Sequence, residues 1–176
     1  MNKYIKHIKI INKHRWVVFK WCCKLGISFR GLIHDLSKYS PKELSICKYY
    51  TGNRSPHDNA RDELGYSPSW LYHRNRNKHH WEYWIDSFEK MNAVKMPYKY
   101  VLEMFADFIG AGQVYEKDKW NCRKPLEYHL KFKEKKILHK DTLRLFELLL
   151  GKLAELNVKE FHKWFKKNKK TLKKTY

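Results

Sequence analysis

Residues 33–43 read IHDLSKYSPKE. An apolar segment runs into His34 and Asp35, and Lys38 follows three residues after the aspartate. Ser40-Pro41-Lys42-Glu43 then has the form of a capping box with proline at the first helical position. The stretch predicts one helix ending near the His-Asp pair and another beginning at Pro41. Outward from it, helical spacing prevails. On the N-terminal side Ile5, Ile8, Ile11, Val18 and Trp21 recur at three and four, which predicts a helix of about 20 residues. Gly26 ends it, and Ser28 caps a short second helix through Leu36. Downstream, Thr51–Tyr66 is polar and holds Gly52, Pro56 and Gly65, and it reads as a long loop. Ser67-Pro68 starts a short helix, and Met96-Pro97 opens a long one. Pro125 starts a helix through about Lys135, Asp141–Leu156 gives another, and Asn157 caps a last one. No alternating strand stands out. The class is all-α, and a compact helical bundle is the default architecture.

The chain has 176 residues, 43% of them hydrophobic, with a formal charge of +20. That composition excludes a disordered chain and leaves room for one domain with a core. The charge excess has two readings: a lysine-rich protein with a solvated surface, or one that meets nucleic acid, a nucleotide or another phosphorylated substrate. The four cysteines lack CxxC spacing, so neither a zinc ribbon nor a thioredoxin-like motif is present. They read as reduced thiols, and the expected location is cytoplasmic (the host's, if the chain is viral). No apolar run approaches the roughly 20 residues that a membrane span needs, and the start is too charged for a secretory signal.

His34 and Asp35 become informative with their company. His14 is in phase with Ile11, Val18 and Trp21 and should face inward. LYHRNRNKHHWEYW brings His73, His79 and His80 within eight residues. VLEMFADF sets Glu103 and Asp107 four apart on one helix, with Asp107 in apolar company, where a carboxylate needs a partner. The order is His … His-Asp … His … His-His … Asp. Imidazoles with carboxylates suit one or two divalent ions such as Mn, Fe, Ni or Zn. Adjacent helical residues diverge by about 100°, so His34 and Asp35 can share an ion only if it sits off the helix between them. His57 is an alternative to His73 as the middle ligand.

This pattern resembles the HD-domain superfamily of metal-dependent phosphohydrolases, which are all-helical. In the resemblance His14, His34, Asp35 and Asp107 take the four ligand places, and Lys38 matches a lysine that many members carry three residues after the aspartate. Binuclear members add a middle histidine and one from a His-His pair, places that fall on His73 or His57 and on His79 or His80. HDLSK followed by SPKE, Asn77-Lys78-His79-His80, and Glu103-Met104 with Asp107-Phe108 are also similar to a further HD-like family of viral and bacterial chains. The resemblance covers roughly residues 10 to 110. It implies an HD-like metal-binding bundle over residues 1–135, with the helices of 136–176 packed on it and ending in a lysine-rich tail.

The expected function is a metal-dependent phosphohydrolase acting on a phosphate ester or phosphodiester of a nucleotide-type substrate. Asp35 would hold the ions, Lys38 would meet the phosphoryl oxygens, and Glu82 would orient a histidine or a water. Arg54, Arg61, Arg74 and Arg76 are candidates to clamp phosphate. Trp70, Trp81, Tyr83 and Trp84 read as core packing or as a stacking surface for a base. The alternatives are an HD-type nuclease and a non-catalytic, basic nucleic-acid-binding helical protein.

Overall fold

The structure is a computed structural model that describes residues 2–52, 54–88 and 90–176. The described residues form nine α-helices. They are α1 (Lys3–Lys24), α2 (Ser28–Ile33), α3 (Pro41–Leu44), α4 (Pro56–Leu64), α5 (Pro68–Arg76), α6 (Tyr98–Glu116), α7 (Lys124–Lys131), α8 (Lys140–Glu155) and α9 (Val158–Thr175). The one departure from an all-helical chain among these residues is a two-residue antiparallel pairing of Ile85–Asp86 with Asn92–Ala93. Among the described residues no helix is long and apolar enough to cross a membrane.

The local signals act as their chemistry requires at most helix ends. Gly26 takes φ 72° just after the end of α1, and Asn157 accepts from the amides of Lys159 and Glu160 at the start of α9. Residues 51–66 are not a loop throughout. Ser55 accepts from the His57 amide, Pro56 opens α4, and Gly65 closes it at φ 77°. Cap, proline and closing glycine were all present in the sequence, and Ala60 anchors the short helix against Ile46 and Tyr49. The second helix ends at Ile33, not Leu36, and Ser28 is its first residue rather than its cap. The seventh ends at Lys131, and Lys133–Lys135 continue as a separate 3-10 turn.

Apart from the small cluster of Ile46, Tyr49 and Ala60, the core draws on α1, α6, α8 and α9. Val18 and Trp21 meet Phe105 and Ile109, and Phe146, Leu149 and Phe161 close the far side. Two glycines set how closely the helices approach. A Cβ on Gly110 would lie 2.6 Å from Val18 Cγ2, and one on Gly31 would lie 2.6 Å from Cys22 Cβ and 3.0 Å from the Phe19 backbone. The α1–α6 and α1–α2 contacts therefore run backbone to side chain. This brings His14 of α1 within ion-pair distance of Asp107 of α6 and of the segment after α2.

Candidate metal centre

The helix ends exposed by the fold solve the problem of the adjacent His-Asp pair. His34 leaves α2 with φ −53°, ψ 130°, and Asp35 takes the left-handed conformation at φ 55°, ψ 23°. Aspartate is among the few residues that tolerate that region. Neither residue is helical, so the two side chains do not diverge by a helical step, and both turn inward. Arg15 of α1 braces the turn, donating from Nε to the His34 carbonyl at 2.8 Å and from Nη2 to the Leu32 carbonyl at 2.9 Å.

Asp35 is 1% exposed and its two oxygens face different groups. Oδ1 lies 3.3 Å from His73 Nε2 and 3.4 Å from His79 Nε2. Oδ2 lies 3.2 Å from His34 Nε2, 3.6 Å from His14 Nε2 and 2.6 Å from Lys38 Nζ. Asp107, on α6, brings Oδ1 to 2.9 Å from His14 and 3.5 Å from His34, with Oδ2 3.8 Å from His79. Three sets of side chains can thus hold an ion: Asp35 with His73, His79 and His80; His14 with His34, Asp35 and Asp107; and His34 with His79 and Glu103; within each set the ligand atoms lie within 4.8 Å of one another. Asp35 belongs to the first two.

A second layer of carboxylates fixes the imidazoles. Glu43 Oε2 accepts from His73 Nδ1 at 2.6 Å, and Glu103 Oε1 lies 3.2 Å from His34 Nδ1 and 3.3 Å from His79 Nδ1. A buried carboxylate beside Nδ1 places the proton there and leaves the Nε2 lone pair directed at the centre. Arg30 holds Glu103 in turn through Nε and Nη2, both 2.8 Å from Oε2.

The centre fits cations better than protons. Nε2 of His14, His34, His73, His79 and His80 and both oxygens of Asp35 are buried without a directed hydrogen bond. Each such atom left truly unpaired costs about 1–3 kcal/mol, a sizeable share of the roughly 5–15 kcal/mol by which a domain is stable. Protons relieve part of this. Burial works to lower the His34 pKa, but Asp35, Asp107 and Glu103 raise it well above the ordinary value, and Asp35 and Glu43 raise that of His73 against the same burial. His79 and His80 go the other way, held low by burial and, respectively, by His34 and by His79 and His73. Burial opposes ionisation of Asp35 and Asp107, yet His34, Lys38 and His73 around Asp35, and His14 and His34 beside Asp107, keep both well below the usual carboxylate range. His79 and His80, held neutral, together with His34 and His73, which would give up a proton to a bound cation, surround two carboxylates, the donor set of a divalent metal site.

Of the candidates read from the sequence, His14, His34, Asp35, His73, His79, His80 and Asp107 converge, with Lys38 against Asp35. His73 rather than His57 is the middle histidine of the cluster. His57 donates or accepts at Ser67 Oγ, 2.9 Å away, and stands on a cavity wall instead. Glu82 is in none of the three converging sets; its half-buried carboxylate, raised in pKa by burial, has Arg74, Lys136 and Arg61 as its charged neighbours. Three of the arginines are engaged locally: Arg54 with Asp62 and Arg61 with Asp58, each at 2.7 Å, and Arg76 with the Tyr72 hydroxyl at 2.6 Å. Trp81 and Trp84 pack on the core, and Trp70 stands edge-on to His80.

Three supporting side chains, Glu43, Arg15 and Arg30, escaped the sequence, and a fourth, Glu103, stood out there without a role. Glu43 looks like the return half of a capping box, but Ser40 N–H bonds the Ser37 carbonyl and the glutamate turns to His73. Glu103 carried a usable signal, its spacing of four from Asp107 on the apolar helix. Arg15 and Arg30 carried none, since their partners are remote in sequence or are backbone carbonyls.

Comparison with curated proteins and with solved structures gave no match. Residues 3–152 match a family profile that spans every converging side chain, and the chain therefore belongs to the family of unknown function DUF5662.

Proposed function

We propose that the chain is a metal-dependent phosphohydrolase acting on a phosphate ester or phosphodiester of a nucleotide-type substrate. The observation that carries this reading is Asp35, whose two oxygens face two imidazole sets amid buried Nε2 atoms without hydrogen-bond partners. The order His14, His34-Asp35, Asp107 also agrees with the HD-domain resemblance. One or two ions held by these side chains would supply Lewis acidity and a nucleophilic water at neutral pH. The chain's own residues do the rest. Asp35 and Asp107 hold the charge of the centre, and Glu43 and Glu103 fix the imidazoles. Lys38, its ammonium state favoured by Asp35 against burial, with a pKa of about 12, lines the adjoining cavity and meets phosphoryl oxygens there. The net charge of +20 steers an anion toward the cavity. A basic nucleic-acid binder without metal would leave the buried nitrogens with no use.

The test is the metal content of the tag-free protein, by mass spectrometry, for wild type and Asp35→Ala. Near-stoichiometric Mn, Fe, Ni or Zn that is lost in the variant, together with metal-dependent turnover of phosphate esters, supports the reading. An Asp35→Ala protein that is metal-free and fully active refutes it.

A further inference from the structure

Beside the cavity at the metal centre lies a second hollow. The first has a volume of about 230 Å3 and includes His14, Lys38, His80 and Asp107 in its wall. The second, about 430 Å3, lies between α6 and α7, and Ser55, Ala111 and Tyr115 belong to the walls of both. The two are neighbours with a shared partition.

The second hollow differs chemically from the first. Phe108, Tyr115, Trp120 and Tyr128 line it. Gly112 lets the indole of Trp120 lie directly on α6, since a Cβ there would sit 3.2 Å from Trp120 Cδ1 and Nε1. Tyr115 and Tyr128 are 54% and 55% exposed, although they are large aromatic groups on a concave wall. Aromatic faces left open in a concavity are stacking surfaces. The charged groups on that wall are already paired. Lys124 on the wall is paired with Glu116, and Asp58 adds a second carboxylate, itself paired with Arg61. In a chain with a charge of +20, this aromatic hollow offers little to phosphate and much to a neutral flat ring.

We propose that the hollow formed by Phe108, Tyr115, Trp120 and Tyr128 seats a planar heteroaromatic ring, a nucleobase, joined to the phosphate that Lys38 and the metal centre bind. The proposal rests on the phosphohydrolase reading for the phosphate and on the hollow alone for the ring. The contrast between the walls orients the substrate: phosphate enters the cavity of Lys38, and the ring stays between α6 and α7 with Tyr115 at the partition.

Nucleosides without phosphate separate the two ideas. Binding of adenosine and uridine, their 5′-monophosphates and ribose 5-phosphate to the metal-loaded protein is measured by calorimetry and by NMR. At least one nucleoside is expected to bind, and its monophosphate is expected to bind more tightly than ribose 5-phosphate. Tyr128→Ala should weaken nucleoside and nucleotide alike by roughly tenfold, the loss of one stacking face, and leave ribose 5-phosphate unchanged, which also shows that the variant is folded. If neither nucleoside binds, or if Tyr128→Ala weakens all ligands equally or none, the ring hollow is overturned. Nucleoside binding that is lost in Tyr128→Ala but gains nothing from phosphate upholds the hollow and sinks the phosphohydrolase reading instead. A deoxyoligonucleotide that binds equally well to wild type and Tyr128→Ala, where no mononucleotide does, overturns the proposal in favour of a nucleic-acid surface.

Discussion

Replacing Glu103 by glutamine keeps its shape and removes its charge. The carboxylate is fully buried and has Arg30, His34 and His79 around it. Burial works against the anion, but the two imidazoles and the guanidinium prevail and draw its pKa from 4.5 down to about 2. That difference corresponds to roughly 3 kcal/mol of stability. Because the folded-state pKa is the lower one, the stabilisation is complete above 4.5 and is lost as the pH falls toward about 2. The glutamine variant lacks it at every pH. Urea unfolding of the chelated proteins should therefore show Glu103→Gln less stable by roughly 3 kcal/mol near neutrality, with the gap closing in acid. In the metal-loaded proteins the same change should weaken metal affinity by about 10–100-fold, since the Nδ1 protons of His34 and His79 lose their carboxylate. Equal stability of the two proteins at neutral pH, or a gap that is the same in neutral and acid solution, would refute the assignment of Glu103 as the ionised anchor of these imidazoles.

Other expectations follow from single contacts. Gly110→Ala places a methyl 2.6 Å from Val18 Cγ2 and 3.7 Å from His14 Cε1; it should cost about 1–3 kcal/mol and reduce metal loading, read by thermal melting and metal content. At Asp35, held at φ 55°, valine should be less stable than asparagine by about 1–3 kcal/mol, because asparagine tolerates the left-handed region and a β-branched residue does not; unfolding of the two chelated variants decides it. His57 should stay neutral through mildly acid solution. Burial, then Lys38 and His73, lower its pKa to about 3. Its imidazole resonances should stay flat between about pH 8 and 5, and the folded chain should lose stability as pH falls from 6.5 toward about 3, where only the unfolded chain takes the proton. A midpoint near 6.5 in the NMR titration would contradict this burial.

The sequence by itself determined every helix but α4, because their signals are local. Asn157, Ser67-Pro68 and Gly26 act within a turn of where they stand, and the spacing of Val18, Trp21, Phe105 and Leu149 states which faces are buried. It also carried the candidate donor types, five histidines and two aspartates of the kinds that could hold a divalent ion. The tertiary structure decided how they meet. A helical reading of His34 and Asp35 sets their side chains about 100° apart, and only the left-handed turn at Asp35, braced by Arg15 from another helix, turns both inward. Glu43 had a complete local explanation as a cap, and its reassignment to His73 depends on α3 packing against α5. The choice of His73 over His57 depends likewise on which face of the chain α4 and α5 present to Asp35. Capping and periodicity are interactions of neighbours in sequence, whereas a carboxylate's choice of imidazole is made between elements that packing brings together.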